Sequence, residues 1–409
     1  MSLQTALAGL LCAQTGIDTA SNNLANANTT AYKSQTALFE SIFPQESYKT
    51  PGLGAEVEGM SSNLSQGSPE QTGDSLDAAI QGNGYFVVSS NGIQQFTRDG
   101  AFQLNSEGQI ETLNGANLMG YPITNGITSS SLGPIAINTG SIGATPTSTV
   151  GLTMSLNSGD TPVSSSTQFN PSIPSSYSES TSVVTYDSAG NANHVQLYMV
   201  QNQVAAGSTP SWTVYALPQA ANGTSISSPP YQPLTTLQFS QSGTLDSGSP
   251  ATLSNVNWGN GSATSNITFN FTGTTSMAQT FSVSGLTNNG NAPGGYSGVS
   301  IGTDGSVIAS YTNGQTVSVG KIALANFINP EGLTQVTGNL YAQNGNSGVP
   351  VISQAGTGQA GTLSGGELEA SNVSTSNMLV SLIQYQQAYQ ANTSVIQTEQ
   401  QDSQRLLQI

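Results

Sequence analysis

Charge is the scarcest property of this 409-residue chain: only 6% of its residues are charged, and five basic residues stand against 21 acidic ones. Proteins that bind nucleic acid neutralise phosphates with clustered Lys and Arg, and an anionic membrane surface attracts the same cations. The basic residues here lie far apart, at Lys33, Lys49, Arg98, Lys321 and Arg405. The formal net charge of −16 therefore predicts that nucleic acid is not a partner.

Cysteine and histidine each occur once, as Cys12 and His194. A single Cys excludes an intramolecular disulfide, and one His with one Cys cannot build a usual zinc site or a Cys–His nucleophile pair. Carboxylate pairs such as Asp74 and Asp77 lie in loop-like sequence without a stripe of aromatic residues beside them. We therefore expect no catalytic residues, no cofactor-binding or metal site, no cofactor and no enzyme activity.

Long apolar segments are missing as well. No run of about twenty apolar residues, the length that crosses a bilayer, occurs in the sequence, so membrane insertion is not expected. The first residues carry no Lys or Arg, and Gln4, Gln14 and Asp18 interrupt the apolar stretch that follows. A cleavable signal peptide needs both features, so any export would use a route that does not depend on one.

What the sequence does have is a helical repeat at each end, with apolar residues at alternating steps of four and three. Polar residues such as Gln14 and Gln386 occupy some of the repeat positions. A single amphipathic helix needs a partner surface, so we expect each stripe to order when many copies of the chain pack together. An ordinary helix pair that closes one domain is the alternative. The apolar positions are Leu3, Leu7, Leu10, Ile17 and Leu24 in the N-terminal seam, and Leu379, Leu382, Tyr389, Ile396 and Leu407 in the C-terminal seam.

Between the ends, short apolar and aromatic runs alternate with Gly-containing turns. Gly82, Asn83 and Gly84 begin one such series, and Asn-Gly and Asp-Gly pairs follow at the short intervals typical of an antiparallel meander. The predicted fold is mainly β with α-helical termini packed as a coiled-coil-like pair, nested around a β-rich core domain and an inserted β domain. The expected segments are an N-terminal helical assembly domain (1–33), an extended connector (34–75), the first part of the core β domain (76–145), the inserted outer β domain (146–290), the second part of the core (291–360) and a connector with the C-terminal helical assembly domain (361–409).

Three segments resemble the axial proteins of the bacterial flagellum, the family of rod, hook and hook-associated subunits. The first is the N-terminal stripe with the Asn-rich segment that follows it. The second lies within residues 76–102, and the third covers residues 368–373 and 384–390. The motif residues are Asn22, Asn23, Asn26, Tyr32, Lys33, Gly82, Asn83 and Gly84. Within the family, the large inserted middle resembles the hook members, because rod members are typically shorter.

The resemblance implies a structural subunit that polymerises into the flexible, curved tube of the hook, a universal joint that passes motor torque to the filament. It also implies rod, hook-cap and hook–filament junction proteins as partners besides further copies of the chain. Such subunits leave the cell through the flagellar type III export channel, so the expected location is the extracellular flagellum. A distal-rod-type axial protein is the alternative, and a secreted adhesin or surface-layer protein is a weaker one.

Overall fold

Helices lie near both ends of the chain, and strands fill most of the sequence between them. The computed structural model describes residues 2–42, 53–205 and 208–406. Helix α1 spans Ser2–Ala25 and helix α2 spans Thr375–Leu406, and the two pack against each other. This arrangement confirms the predicted fold class of a mainly β protein with paired helical termini. Leu407 of the C-terminal seam lies outside the described residues.

The strands fall into an early, a middle and a late group along the chain. The early strands are β1 (Gln35–Ile42), β2 (Gly54–Ser62), β3 (Pro69–Gln71), β4 (Ala78–Gln81), β5 (Tyr85–Ser90), β6 (Ile93–Thr97), β7 (Phe102–Leu104), β8 (Ile110–Thr112), β9 (Asn117–Thr124), β10 (Ile127–Thr128) and β11 (Gly133–Pro134). The middle strands are β12 (Thr149–Asn157), β13 (Glu179–Tyr186), β14 (Ala192–Gln201), β15 (Ser211–Gln219), β16 (Thr235–Phe239), β17 (Leu245–Ser247), β18 (Ala251–Val256), β19 (Ser265–Asn270), β20 (Thr275–Met277) and β21 (Ser282–Asn288). The late strands are β22 (Tyr296–Ile301), β23 (Ser306–Tyr311), β24 (Thr316–Asn326), β25 (Thr334–Gln335), β26 (Leu340–Ala342), β27 (Val351–Gln354), β28 (Thr362–Gly365) and β29 (Glu367–Glu369).

The chain divides into two compact units. Unit 1 contains Met1–Asn138, Gly298–Ser310 and Thr316–Ile409, and unit 2 contains Thr139–Ser297 and Tyr311–Gln315. Within residues 34–75, predicted as an extended connector, the structure places the antiparallel β1–β2 hairpin and β3. The six-segment division itself stays a prediction.

Unit 1 is built around a sheet that joins early strands to late ones. Its main path runs β22-β23-β24-β9-β5-β6-β26-β25, so β24 pairs with both β9 and β5 although the whole middle of the chain separates them in sequence. The β5–β6 hairpin turns at Asn91 and Gly92, which both have positive φ, as a tight two-residue turn requires. Short pairings of β28 with β4 and of β29 with β3 bring the C-terminal segment back to the early strands.

An aromatic cluster fills the core of unit 1 beside the start of β5. The Tyr85 ring meets Phe327 and Tyr341 edge-on, with centroids 5.9 and 5.7 Å apart, and Phe96 meets Phe327 at 4.8 Å. Burial, helped by the neighbouring Tyr85, raises the pKa of Tyr341 to about 12. Edge-to-face packing of this kind favours one arrangement of the rings, so it gives β5 a defined position.

Unit 2 has a core of its own between two five-stranded sheets. One sheet has the order β13-β14-β15-β16-β17, and the other has β18-β19-β12-β20 with β21 also paired to β12. Along β14 the buried residues Val195, Leu197 and Met199 alternate with more exposed ones, as expected for a strand with one face in a core. Trp212 and Trp258, the two tryptophans of the chain, are both buried in this unit.

The single histidine and the single cysteine lie in different units. His194 is half-buried in β14, where β13 and β15 pair with it on either side. The Cys12 thiol donates to the Ala55 carbonyl at 3.3 Å, which fastens α1 to the β1–β2 hairpin.

Candidate assembly site: the helix pair and its base

The close contact between α1 and α2 uses small residues on α1. A Cβ placed on Gly16 would lie 2.5 Å from the Tyr385 ring, and one placed on Gly9 would lie 2.8 Å from the Asn392 side chain. One heptad further along, Asn23 Nδ2 lies 3.5 Å from Met378 Sδ. The α1 positions ascend in steps of seven while their partners descend in the same steps, so the two helices run antiparallel in a heptad register.

The predicted leucine seams are not on this line of closest contact. Leu3 and Leu7 are 46% and 51% exposed, and Leu379 is 47% exposed. Leu10, Ile17, Leu24, Leu382, Tyr389 and Ile396 are half-buried. Further apolar side chains are exposed on the same helices, namely Leu11, Val380, Ile383 and Val395. Within one chain the helix pair therefore leaves much of its apolar surface uncovered.

The Asn-rich motif turns the chain from α1 into β1. Asn23 is 1% exposed, and its side chain accepts from the Gln35 amide at 2.9 Å and donates to the Gln35 carbonyl at 2.7 Å. The Tyr32 hydroxyl lies 3.0 Å from Asn22 Oδ1 and 3.2 Å from Asn23 Oδ1. The backbone amide and the side-chain Nδ2 of Asn26 both donate to the Asn22 carbonyl. The Asn26 bonds satisfy a carbonyl that the helix end leaves open, and the Asn23 bonds tie the helix to the start of β1, so the motif fixes the direction in which the chain leaves the helix.

Below this turn, three charged side chains form a buried group that we call the ion cluster: Lys33, Arg98 and Glu369. Lys33 Nζ lies 2.5 Å from Glu369 Oε1, and Arg98 Nη1 lies 3.3 Å from Glu369 Oε2. The three side chains are 3%, 8% and 0% exposed, respectively. Burial is the main cause that lowers the pKa of Lys33, and it outweighs the opposing effect of Glu369.

Backbone groups add hydrogen bonds to the ion cluster. The Gly67 amide donates to Glu369 Oε1 at 2.9 Å, Lys33 donates to the Ser65 carbonyl at 2.8 Å, and Arg98 donates to the Gly82 carbonyl at 2.9 Å. Buried charges are tolerated when they are paired and their remaining polar atoms are bonded. In the ion cluster the charges are paired, and each of the three side chains also bonds to a backbone group.

The Gly82–Gly84 motif positions backbone around the ion cluster. Gly82 and Gly84 have φ of +99° and +124°, a region that favours glycine. The Asn83 carbonyl accepts from the Gly361 amide at 2.8 Å, so the turn also holds the returning C-terminal segment. Beside it, the Arg98 guanidinium lies 5.4 Å from the centre of the Tyr85 ring, within range of a cation–π contact.

Asn372 is a further link, a few residues after Glu369. Its side chain accepts from the Ser34 amide at 2.8 Å and donates to the Asn63 carbonyl at 2.7 Å. The three sequence motifs therefore converge on the base of the helix pair, where the chain leaves α1 and enters α2.

Sequence reasoning included the motif that contains Glu369 but did not identify the ion cluster, Asn372, or the glycines of the helix contact. One signal could have indicated the ion cluster. In a chain with only five basic residues, Lys33, Arg98 and Glu369 each lie inside one of the three motif segments.

The absence of metal-binding groups and of membrane-spanning helices is a further feature of the described residues. Among them, no group of three or more His, Cys, Asp or Glu side chains is arranged to hold a metal ion. In the same part of the chain, no helix has the length and apolar character to cross a membrane.

Sequence comparison matches four segments, which together cover most of the chain, to families of flagellar proteins. The matching families are described as flagella basal body rod protein (residues 3–33), flagellar hook protein FlgE/F/G D1 domain (79–150), flagellar basal body protein FlaE D2 domain (155–291) and flagellar basal body rod FlgEFG protein C-terminal (364–409). Together with the paired terminal helices, they define an axial structural protein of the bacterial flagellum.

Full-length relatives narrow the class. The chain is 35% identical to the flagellar hook protein FlgE of Salmonella typhimurium over 413 residues, which cover 98% of each chain. It is 35% identical to FlgE of Escherichia coli over 409 residues, again 98% of each, and 32% identical to FlgE of Rhizobium meliloti, over 97% of this chain and 96% of the relative. The chain belongs to the family of flagellar hook proteins, and it is a structural subunit of the hook on the extracellular flagellum.

A solved structure shares the fold. The flagellar hook protein FlgE2 of Helicobacter pylori superimposes with a TM-score of 0.55 at 16% sequence identity, over 74% of this chain and 99% of the other.

Proposed function

We propose that the N-terminal and C-terminal seams are the surfaces through which copies of the chain pack into the hook. The observation that carries this proposal is the exposure of Leu3, Leu7 and Leu379 on helices that already contact each other through a different face. Packing many copies would bury these side chains, each worth about 1.5–3 kcal/mol when fully removed from water. Repetition of such a contact between unlike faces produces an open helical assembly.

The ion cluster has a mechanical part in this proposal. Within it, Glu369, which precedes α2, pairs with Lys33, which follows α1. Glu369 also pairs with Arg98, which directly follows β6 of the main sheet of unit 1. Force acting on the helix pair would therefore reach the sheet through buried groups that are paired and hydrogen-bonded. In a flexible curved tube that transmits motor torque, this junction would carry load between the helices and the rest of unit 1.

The remaining expectations accompany the proposal. Rod, hook-cap and hook–filament junction proteins would contact the ends of the polymer, export would use the type III channel without a cleavable signal, and the subunit would have no enzymatic activity. Of the six segments predicted from the sequence, the helical assembly domains at 1–33 and 361–409 would line the inside of the tube.

The test is polymerisation of a variant that combines Leu3→Gln with Leu7→Gln. We expect the monomer to keep its fold by circular dichroism, because both side chains are already exposed in it. The concentration needed to form tubes, followed by sedimentation and electron microscopy, should rise at least about tenfold, since tenfold corresponds to only 1.4 kcal/mol.

The matched control is Ile127→Gln, which also removes an exposed apolar side chain, one that is 74% exposed on the short strand β10. This control should polymerise like the wild type. Tubes of the double variant at the wild-type concentration would refute the proposed role of the N-terminal seam.

A further inference from the structure

Three polar side chains lie together at one end of the unit 2 sandwich. Asp160 lies in the turn after β12, Glu179 is the first residue of β13, and Gln201 is the last residue of β14. Gln201 Nε2 donates to the Ser158 carbonyl at 3.3 Å, which places the β12 turn beside the end of β14. Glu179 is directly opposite Met199, and residues opposite each other or two apart on a strand project from the same face. Glu179 and Gln201 therefore point to the face on which Met199 is buried.

Two oxygen atoms in this group are buried without a hydrogen-bond donor from the described chain: Asp160 Oδ2 and Gln201 Oε1. The other Asp160 oxygen accepts from Asn157 Nδ2 at 2.7 Å. The orientation of the Gln201 amide follows from chemistry, because the Ser158 carbonyl can only accept and so requires the amide nitrogen on its side. The oxygen of this side chain, which is only 8% exposed, must therefore face the other way.

The local electrostatics lack a positive charge. The carboxylates of Glu179 and Asp160 lie close enough to repel each other. No Lys or Arg occurs anywhere in residues 139–297 or 311–315, the whole of unit 2. Two adjacent carboxylates and a buried amide oxygen thus have no Lys or Arg of their own unit to compensate them, and buried acceptors left in this state are costly.

We propose that Asp160, Glu179 and Gln201 form a binding site for a divalent cation of the Ca²⁺ type. All three supply oxygen ligands, and Ca²⁺ accepts carboxylates, side-chain amide oxygens and water in a flexible geometry. Mg²⁺ requires near-ideal octahedral geometry and gives up its water reluctantly, so a site with one amide and two carboxylates favours Ca²⁺. A tight Ca²⁺ site usually has more than two carboxylates. We therefore expect a dissociation constant for Ca²⁺ in the range of extracellular Ca²⁺-binding modules, about 10⁻⁴–10⁻³ M.

Calcium titration of the full-length chain, first treated with a chelator, tests this site. Calorimetry should detect Ca²⁺ binding, and thermal unfolding followed by tryptophan fluorescence should shift upward as Ca²⁺ is added, because a ligand that binds only the folded state stabilises it. Asp160→Asn and Gln201→Leu should each weaken binding at least about tenfold. Asp246→Asn is the control, since it removes an exposed carboxylate of the same unit, and it should bind Ca²⁺ like the wild type.

Folding of the variants is checked separately. In chelator, Asp160→Asn should melt no lower than the wild type, because the substitution removes a charge with a buried, unbonded oxygen, and yet it should lose the upward shift with Ca²⁺. Absence of Ca²⁺ binding by the wild-type chain up to about 10 mM, well above the range for such modules, would overturn the proposal. Binding by Asp160→Asn with wild-type affinity would also overturn it, and equal binding of Mg²⁺ would overturn the assignment to Ca²⁺.

Discussion

Glu369 is the residue on which the base of the helix pair depends most directly. Its carboxylate pairs with two buried cations and accepts a hydrogen bond from the Gly67 amide. The backbone carbonyl of Glu369 accepts from the Ala31 amide at 2.7 Å. Ala31 has φ of +57°, a conformation that non-glycine residues rarely adopt. Bonds from the Glu369 segment therefore hold a strained turn as well as a buried charge group.

Replacement of Glu369 by Gln should destabilise unit 1 strongly. The change leaves Lys33 and Arg98 buried without a counter-charge, and breaking a buried ion pair in this way typically costs about 3–5 kcal/mol. Denaturant unfolding monitored by far-ultraviolet circular dichroism would measure the loss.

The control for this prediction is Asp304→Asn, which disrupts an exposed pair. Asp304 lies 3.2 Å from Lys321, and its side chain is 55% exposed. Surface pairs contribute about 0–1 kcal/mol, so the control should lose far less stability. If the two variants were equally stable, the ion cluster would not be a main source of stability at the base of the helix pair.

At the scale of elements, α1 presents two different faces. The glycine face, with Gly9 and Gly16, contacts α2 within the chain, whereas the seam face carries Leu3 and Leu7 and is largely exposed. The apolar repeat identified α1 as a helix that needs a partner, but it could not show which face meets the partner in the same chain. Glycine gives no periodic hydrophobic signal, so the apolar repeat does not indicate a helix contact made by close backbone approach.

Gly16→Ala tests the glycine face. In an isolated helix Ala is better than Gly by about 1 kcal/mol, but here the added methyl group would lie 2.5 Å from the Tyr385 ring. Overpacking typically costs 1–3 kcal/mol, so we expect hydrogen-exchange protection of α2 to fall on the order of tenfold.

Ser21→Ala, at an exposed position of the same helix, is the comparison and should leave the protection of α2 unchanged. Unchanged or increased protection in Gly16→Ala would show that the helices do not approach each other this closely.

At the scale of the whole molecule, the two units have separate cores and can be observed separately. Both tryptophans belong to unit 2, and both helices belong to unit 1. Tryptophan fluorescence therefore reports on unit 2, while the helical signal in circular dichroism reports on unit 1.

Acid should destabilise unit 2 through Asp187, whose buried carboxylate lies directly after β13. Burial opposes ionisation there, but hydrogen bonds from the Asn260 and Asn191 side chains and from the Asn191 and Ala189 amides together lower its pKa from 3.8 to about 2. A carboxyl with a lower pKa in the folded state stabilises that state above pH 3.8, and this contribution disappears as the pH falls towards 2. We expect the stability of unit 2, read from tryptophan fluorescence, to decline across that window.

Asp187→Asn should remove this part of the pH dependence and leave the helical transition of unit 1 unchanged. Asp246→Asn, an exposed position in the same unit, should retain the wild-type pH profile. A wild-type profile in Asp187→Asn would mean that another group controls the acid transition.

The amino-acid sequence by itself determined the properties that depend on neighbouring residues. Helical ends follow from the apolar repeat, the hairpins follow from turns such as Asn91-Gly92, and the shortage of charge follows from composition. Local backbone preferences and solvent exposure produce these features, so a short window of sequence is enough to read them.

Only the tertiary structure decided the contacts between distant residues. Lys33 and Glu369 are 336 positions apart, and no periodicity relates them. The same holds for Gly16 with Tyr385 and for Ser158 with Gln201. Which side chains meet depends on how the whole chain closes on itself, and burial then determines whether a charge is paired, a glycine is required or an oxygen lacks a partner.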